Sequence, residues 1–349
     1  MIMLWTDLIN PVEATAIARE EQYDIEQRKG GTLARFLPNV FVDSDHVKFY
    51  PGSTGLIDAA RYRAFNAPPE IGKGQGVKAS SIDLPSIARN EPIDEVTQKE
   101  LQRLSDDRIR KSIEAAIRRN VQAISMRQER ARGIVIDAGA LVVDEDNFFI
   151  NDVFGRDVSL SAAAGAANWW NDPAVDRLGQ LNTWSDLYAS FNNDTRPGRI
   201  VAGSRQAYNA FVNGAQFRTV VGTAYRPALA SEVEAFVASA GLAPMEIYDR
   251  SVSIEGTLTK VLNPKKIYLL PEPVDPNDED GSFLGATYWG RTVSAGFESW
   301  AIEPDEQPGI VCGVFRHESV GSSIEVQGDS IGEPVLANPN ASMAIQVLQ

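Results

Sequence analysis

The chain is predicted to be an α+β protein, and three observations carry that prediction. One helical run without a breaker spans residues 94–132, short strand-like runs lie on both sides of it, and residues 174 to about 273 alternate helices with strands. The last stretch reads as an α/β module inserted into the rest. With 349 residues, 43% hydrophobic and 23% charged, the chain can bury a proper core and should form two or three compact units.

Residues 12–27 form a short amphipathic helix candidate rich in Glu, Gln and Ala and poor in large apolar groups. Such a segment buries little by itself, so it is either an arm that packs on a neighbour or a surface helix of its own domain. Residues 32–39 (Thr-Leu-Ala-Arg-Phe-Leu-Pro-Asn) lead into strand-like runs at 40–42 and 46–50. From Pro51 to Asn90 glycines and prolines break every periodic run. A loop of that length argues against a compact domain unless it works outside it, lying on another subunit.

The helix at 94–132 places Val96, Leu101, Leu104, Ile109, Ile113, Ile117, Val121 and Ile124 on one stripe. Asp94 is a plausible N-cap, and Arg127, Arg130 and Arg132 before Gly133 read as the end. At about 1.5 Å per residue the run exceeds the diameter of one compact domain, so it reads as a beam, or else as two core helices split near Ser105. Strand-like segments follow at 134–136, 140–143 and 148–150, together read as an antiparallel hairpin or meander, and small residues at 162–167 read as a linker. The module then has helices at 174–191, 205–212 and 230–240, and strands at 199–202, 245–248, 252–254 and 266–270. An acidic, Pro-rich loop at 271–281 closes it. Strand-like runs return at 286–288, 310–311, 314–315, 323–326 and 342–348, and there is no internal repeat.

The formal charge of -14 argues against wrapping nucleic acid by phosphate neutralisation. A single cysteine, Cys312, excludes an internal disulfide framework, and two histidines leave little material for a zinc site. With no signal-like start and no long apolar run the chain reads as cytoplasmic, without a membrane span. The search for chemistry finds no catalytic, cofactor-binding or metal residues. Cys312 and His317 fit poorly as a nucleophile and base, the glycines of 72–76 lack the Gly-Lys-Ser/Thr ending of a phosphate loop, and the acidic run Asp278-Glu-Asp280 fails at both ends of a calcium loop. Trp169 and Trp170 read as core or interface anchors.

The order of these elements is similar to the shell-forming fold of tailed phages, the Hong Kong 97 phage type. Residues 32–39 followed by Asp43-Ser-Asp-His-Val47 resemble the opening of the lambda-type major capsid proteins, the capsid protein E family. Ala67-Pro68 before Gly72, then residues 84–94 (Leu-Pro-Ser-Ile-Ala-Arg-Asn-Glu-Pro-Ile-Asp), look like that family's extended loop and the entry to its spine helix. Trp170-Asn-Asp-Pro173 and residues 334–346 match its later landmarks.

The resemblance implies an N-terminal arm at 1–45, an extended loop at 46–91, a peripheral domain at 92–170 and 285–349 with the spine helix, and an axial domain at 171–284. It implies a major capsid protein, not an enzyme, that assembles as pentamers and hexamers into an icosahedral head shell around phage DNA. Its partners would be itself, a separate scaffold, a portal and a decoration protein; it would need no cofactor, bind no sequence in the DNA it encloses, touch no membrane, and assemble in the host cytoplasm to end in the virion. Ile71, Lys73 and Lys78 of the loop are expected to contact other subunits, and Arg118 and Arg119 to face acidic groups of a neighbour or of the arm. A bacterial nanocompartment shell protein, or a soluble α/β enzyme, is the alternative.

Overall fold

A computed structural model describes residues 2–27, 31–49, 80–93, 106–145, 148–165, 168–221, 224–226, 229–254, 256–317 and 324–349. Helix α1 is Pro11–Gln27 and the long helix α2 is Asp106–Ala138; α3 is Arg177–Phe191, α4 Arg205–Val212 and α5 Ala230–Ser239. Local chemistry fixes several of their starts. The Asn10 side chain accepts the Glu13 backbone N–H at 2.8 Å and Pro11 takes the first helical position, where its missing N–H costs nothing. Asp176 and Ser204 cap α3 and α4 in the same way.

The helical run of the first half is confirmed from Asp106 onward, and residues 94–105 lie outside the described residues. Its end differs from the reading at Gly133. The helix continues through Gly133 to Ala138, so residues 134–136 are helical and not a strand. Gly133 is there for contact: a Cβ at that position would sit 2.3 Å from the Val261 carbonyl oxygen. The stop is Gly139, whose positive φ of +70° is open to glycine and whose N–H bonds the Val135 carbonyl at 2.8 Å. The helix has 33 residues, about 50 Å at 1.5 Å per residue.

Two sheets flank this beam. The first is six-stranded: Ile2–Leu4, Val311–His317, Ile324–Val335, Ala286–Gly290 and Asn39–Phe41 in that order, with Ser86–Ile93 paired to Ile324–Val335. α2 lies against its longest strand, donating from the Asn120 and Gln128 side-chain amides to the Val326 and Gly332 carbonyls at 2.8 and 2.7 Å. Ile113, Ile117, Val121 and Ile124 of the predicted stripe are buried there with Cys312, Val314, Val326 and Trp289. Ala14 and Ala18 of α1 join the same core, small enough to bring the two helix backbones close.

The second sheet is five-stranded, in the order Met245–Ile247, Arg199–Ala202, Lys266–Leu270, Met343–Gln346, Ser161–Ala163, with α3, α4 and α5 supplying its core. Strand Met343–Gln346 pairs antiparallel with Lys266–Leu270, although the sequence reading grouped it with the strands at 286–326. Its edge partner is Ser161–Ala163, of which residues 162 and 163 read as linker in the sequence. Ala140–Glu145 and Phe148–Val153 pair as an antiparallel hairpin after α2, where the sequence suggested a hairpin or meander. The end of the Gly/Pro-rich stretch is strand, not loop: Ser80–Asp83 pairs with His46–Phe49, and Ser86–Ile93 pairs along eight residues with Ile324–Ile331.

Candidate functional site

α1 carries carboxylates where α2 carries cations. Glu13 pairs with Arg110, Glu21 accepts from Arg118 at 2.9 Å and from Gln122 at 2.9 Å, and Glu26 accepts from Arg132 at 3.3 Å. The pairs ascend both helices together, so α1 runs alongside α2 in the same sense. This arrangement compensates for the shortage of large apolar groups on α1. Arg19 reaches the opposite way, donating to the Glu306 and Pro308 carbonyls.

The deepest part of this seam is a buried polar junction. Arg132 is 1% exposed and donates from Nε to Thr287 Oγ1 at 2.8 Å and from Nη2 to Asn39 Oδ1 at 2.7 Å, with Glu26 and Glu129 as its counter-charges. Asn39 Oδ1 also accepts Trp289 Nε1–H at 2.7 Å, and Glu129 accepts the Leu33 backbone N–H at 2.8 Å and the Tyr248 hydroxyl. Burial pushes the Glu26 carboxyl up, against the pull of Arg132, and pushes the Tyr248 hydroxyl well above its ordinary range, so Tyr248 stays a donor. One cluster thus joins α1, α2, both strands at Asn39 and Thr287, and Tyr248 beside the second sheet. Removing one member strands a charge without solvent, the costly case for buried pairs.

A second junction seals the end of α2. Arg156 donates to the Ile136 and Asp137 carbonyls at 2.7 and 2.5 Å, satisfying acceptors that the helix end leaves open. Asp137 in turn accepts from Lys266 Nζ at 2.7 Å and from the Tyr268 hydroxyl at 2.8 Å, tying the beam to the second sheet. Burial lowers the Arg156 pKa to about 10, which leaves it charged near neutral pH.

Of the residues singled out in the sequence, Arg118 pairs with Glu21 of α1 and Arg119 with Glu91 of strand Ser86–Ile93, both within the same chain. Ile71, Lys73 and Lys78 lie outside the described residues. Cys312 is fully buried and its thiol is pushed up to about 12, so it is an inert core residue. Trp170 is core, with Nε1–H bonded to Gln180 at 2.7 Å. The carboxylate of Asp278 accepts the Asp280 backbone N–H at 3.1 Å, a local turn.

Sequence reasoning missed Arg132, Glu129 and Asn39 as a junction. Arg132 read as part of a basic helix end and Glu129 was not singled out, and the signal available was a charged pair standing on the apolar side of the stripe. It also missed the exposed face of the hairpin. Val142, Phe149 and Val153 are 48%, 66% and 71% exposed, on one face, while Leu141 on the other face is in the core. Arg127 of α2 pairs with Glu145, at the turn end of the first hairpin strand. An apolar face left open on a two-stranded element is surface that a single copy does not cover.

The described residues contain no helix long and apolar enough to cross a membrane, and no cluster of His, Cys, Asp or Glu suited to a metal ion. The model of the family described as phage major capsid protein E matches residues 44–277. No curated protein matches the sequence. Among solved structures, the fold is similar to that of a protein described as the capsid protein candidate of an E. coli CFT073 prophage, with a TM-score of 0.64 at 10% identity over 97% of this chain and 99% of that one. A phage-related protein from Bordetella bronchiseptica RB50 is similar with a TM-score of 0.56 at 14% identity, over 95% of each chain.

Proposed function

The chain belongs to the phage major capsid protein E family, and from that premise we propose that copies of it close into pentamers and hexamers that tile an icosahedral head around DNA. Membership makes it a structural shell protein with the Hong Kong 97 phage-type fold. The family match over residues 44–277 is the observation that carries the reading. The open apolar hairpin face and the helix-to-helix ion pairs support it, because they suit a subunit that is rigid within and incomplete at its surface.

In this proposal the module at 171–284 gathers around the capsomer axis, the beam and first sheet form the outer wedge, and the loop bearing Ile71, Lys73 and Lys78 straps a neighbouring copy. Arg118 and Arg119 hold the arm helix and the returning strand of their own subunit in the geometry that assembly needs. A scaffold, a portal and a decoration protein complete the head, assembly takes place in the host cytoplasm, and the -14 charge keeps the enclosed DNA from adhering to the wall.

Negative-stain microscopy of the purified chain tests this. Hollow particles or capsomer rings are expected, and a compact monomer at every concentration would overturn it. Deleting residues 71–78 should yield shells that fail under osmotic stress. Tight, salt-dependent binding of DNA by isolated capsomers would contradict the proposed role of the charge.

A further inference from the structure

Arg177 opens α3, and its side chain is fully buried. Its guanidinium donates to the carbonyl oxygens of Phe211 at 3.1 Å, Trp170 at 2.8 Å and Asp172 at 2.9 Å, and among the described residues no carboxylate bonds it. Its Nε–H has no acceptor among the described residues. Neighbouring Gln216 is half-satisfied in the same sense: its Oε1 accepts the Arg177 backbone N–H at 3.0 Å while its Nε2 lacks an acceptor. A buried cation without a bonded counter-charge is costly, and donors left over at one place call for a group that only accepts.

Arg177 also lines a cavity of about 570 Å³, together with Arg205, Asn171, Gln206, Asn209 and Asn213. The residues lining it include two arginines and no Asp or Glu. Asp249 acts on Arg205 by charge and accepts its backbone N–H, but does not line the cavity. Asp172 acts on Arg177 through space, but its side chain is exposed and accepts the Ala174 backbone N–H at 2.9 Å. α4 contributes Arg205 at its first position and Asn209 one turn later, so both face the same opening.

We infer that this cavity is a binding site for a small oxyanion, a phosphate or carboxylate group, seated between Arg177 and Arg205 with the surrounding amides as further donors. Arg177 supplies fixed charge, already desolvated and held by three carbonyls, and Arg205 closes on the ion from the solvent side.

Calorimetric titration of the unassembled full chain with inorganic phosphate, and separately with malonate, tests the site against chloride at equal ionic strength. Saturable binding is expected, with a rise in melting temperature that chloride does not reproduce. Arg205→Gln, an exposed change that leaves the core alone, should weaken binding on the order of tenfold. Asn209→Ala should weaken it less, and Arg177→Lys should follow Arg205→Gln if it folds. Absence of saturable binding by either anion would overturn the inference, and so would unchanged affinity in both Arg205→Gln and Asn209→Ala.

Discussion

Replacing Glu333 with Gln should make the protein more stable at neutral pH, and the reason lies in one buried carboxyl and the acid it faces. Glu333 sits on strand Ile324–Val335, opposite Tyr288, and is fully buried. Among the described residues neither of its carboxyl oxygens has an N–H or hydroxyl donor. What faces it is another acid, Asp152 of the hairpin strand Phe148–Val153. Two carboxyls in contact hold together only with a proton between them. Burial first, and Asp152 second, push the Glu333 pKa from 4.5 up to about 8, and burial raises Asp152 as well.

The folded state therefore binds a proton that the unfolded chain releases over that interval. Stability contributed here is complete below about pH 4.5, falls as pH rises toward about 8, and then levels off. At about 1.4 kcal/mol per pH unit the full interval is worth roughly 5 kcal/mol, of which roughly 3 kcal/mol is lost by pH 7. Gln keeps the shape, cannot ionise, and donates its amide to Asp152. Urea unfolding of the unassembled chain, followed by tryptophan fluorescence from pH 5 to 9, measures the effect. Glu333→Gln should flatten the curve and exceed the wild type by roughly 3 kcal/mol at pH 7, rising toward roughly 5 kcal/mol past pH 8, with little difference at pH 5. Parallel pH curves for the two proteins would refute the reasoning.

Arg132→Met should cost about 3–5 kcal/mol in the same assay, because Glu26 and Glu129 would be left buried beside an apolar side chain; an unchanged midpoint would show that the pair titrates away freely. Gly133→Ala should destabilise by about 1–3 kcal/mol through the Val261 carbonyl, whereas an exposed helix glycine would gain about 1 kcal/mol from the same change. In a double-mutant cycle, Arg118→Ala and Glu21→Ala should couple by less than about 1 kcal/mol, since the Arg118 side chain is 43% exposed. Phe149→Ser with Val153→Ser should leave monomer stability within about 0.5 kcal/mol and abolish particles in electron micrographs; shells of normal yield would remove the hairpin face from the assembly contacts.

The sequence determined what is local. The period of the apolar stripe on α2 and the alternation that became the hairpin each concern neighbours a few residues apart, and so they were legible. Family landmarks spread along the chain made the shell fold legible too. Where the reading departed from the structure, a distant contact had decided the matter. Gly133 carries the same letter as a helix stop, and only the Val261 carbonyl beside it makes it a point of close packing. Arg132 looked like the solvated end of a basic helix until Asn39 and Thr287 arrived from elsewhere in the chain. Ser86–Ile93 contains a proline and little alternation, and it becomes a strand because Ile324–Ile331 offers it a ladder. Met343–Gln346 is likewise drawn into the second sheet by Lys266–Leu270. Strand pairing between segments far apart in sequence leaves no mark within either one, and a side chain's charge is priced by what surrounds it only after the chain has folded.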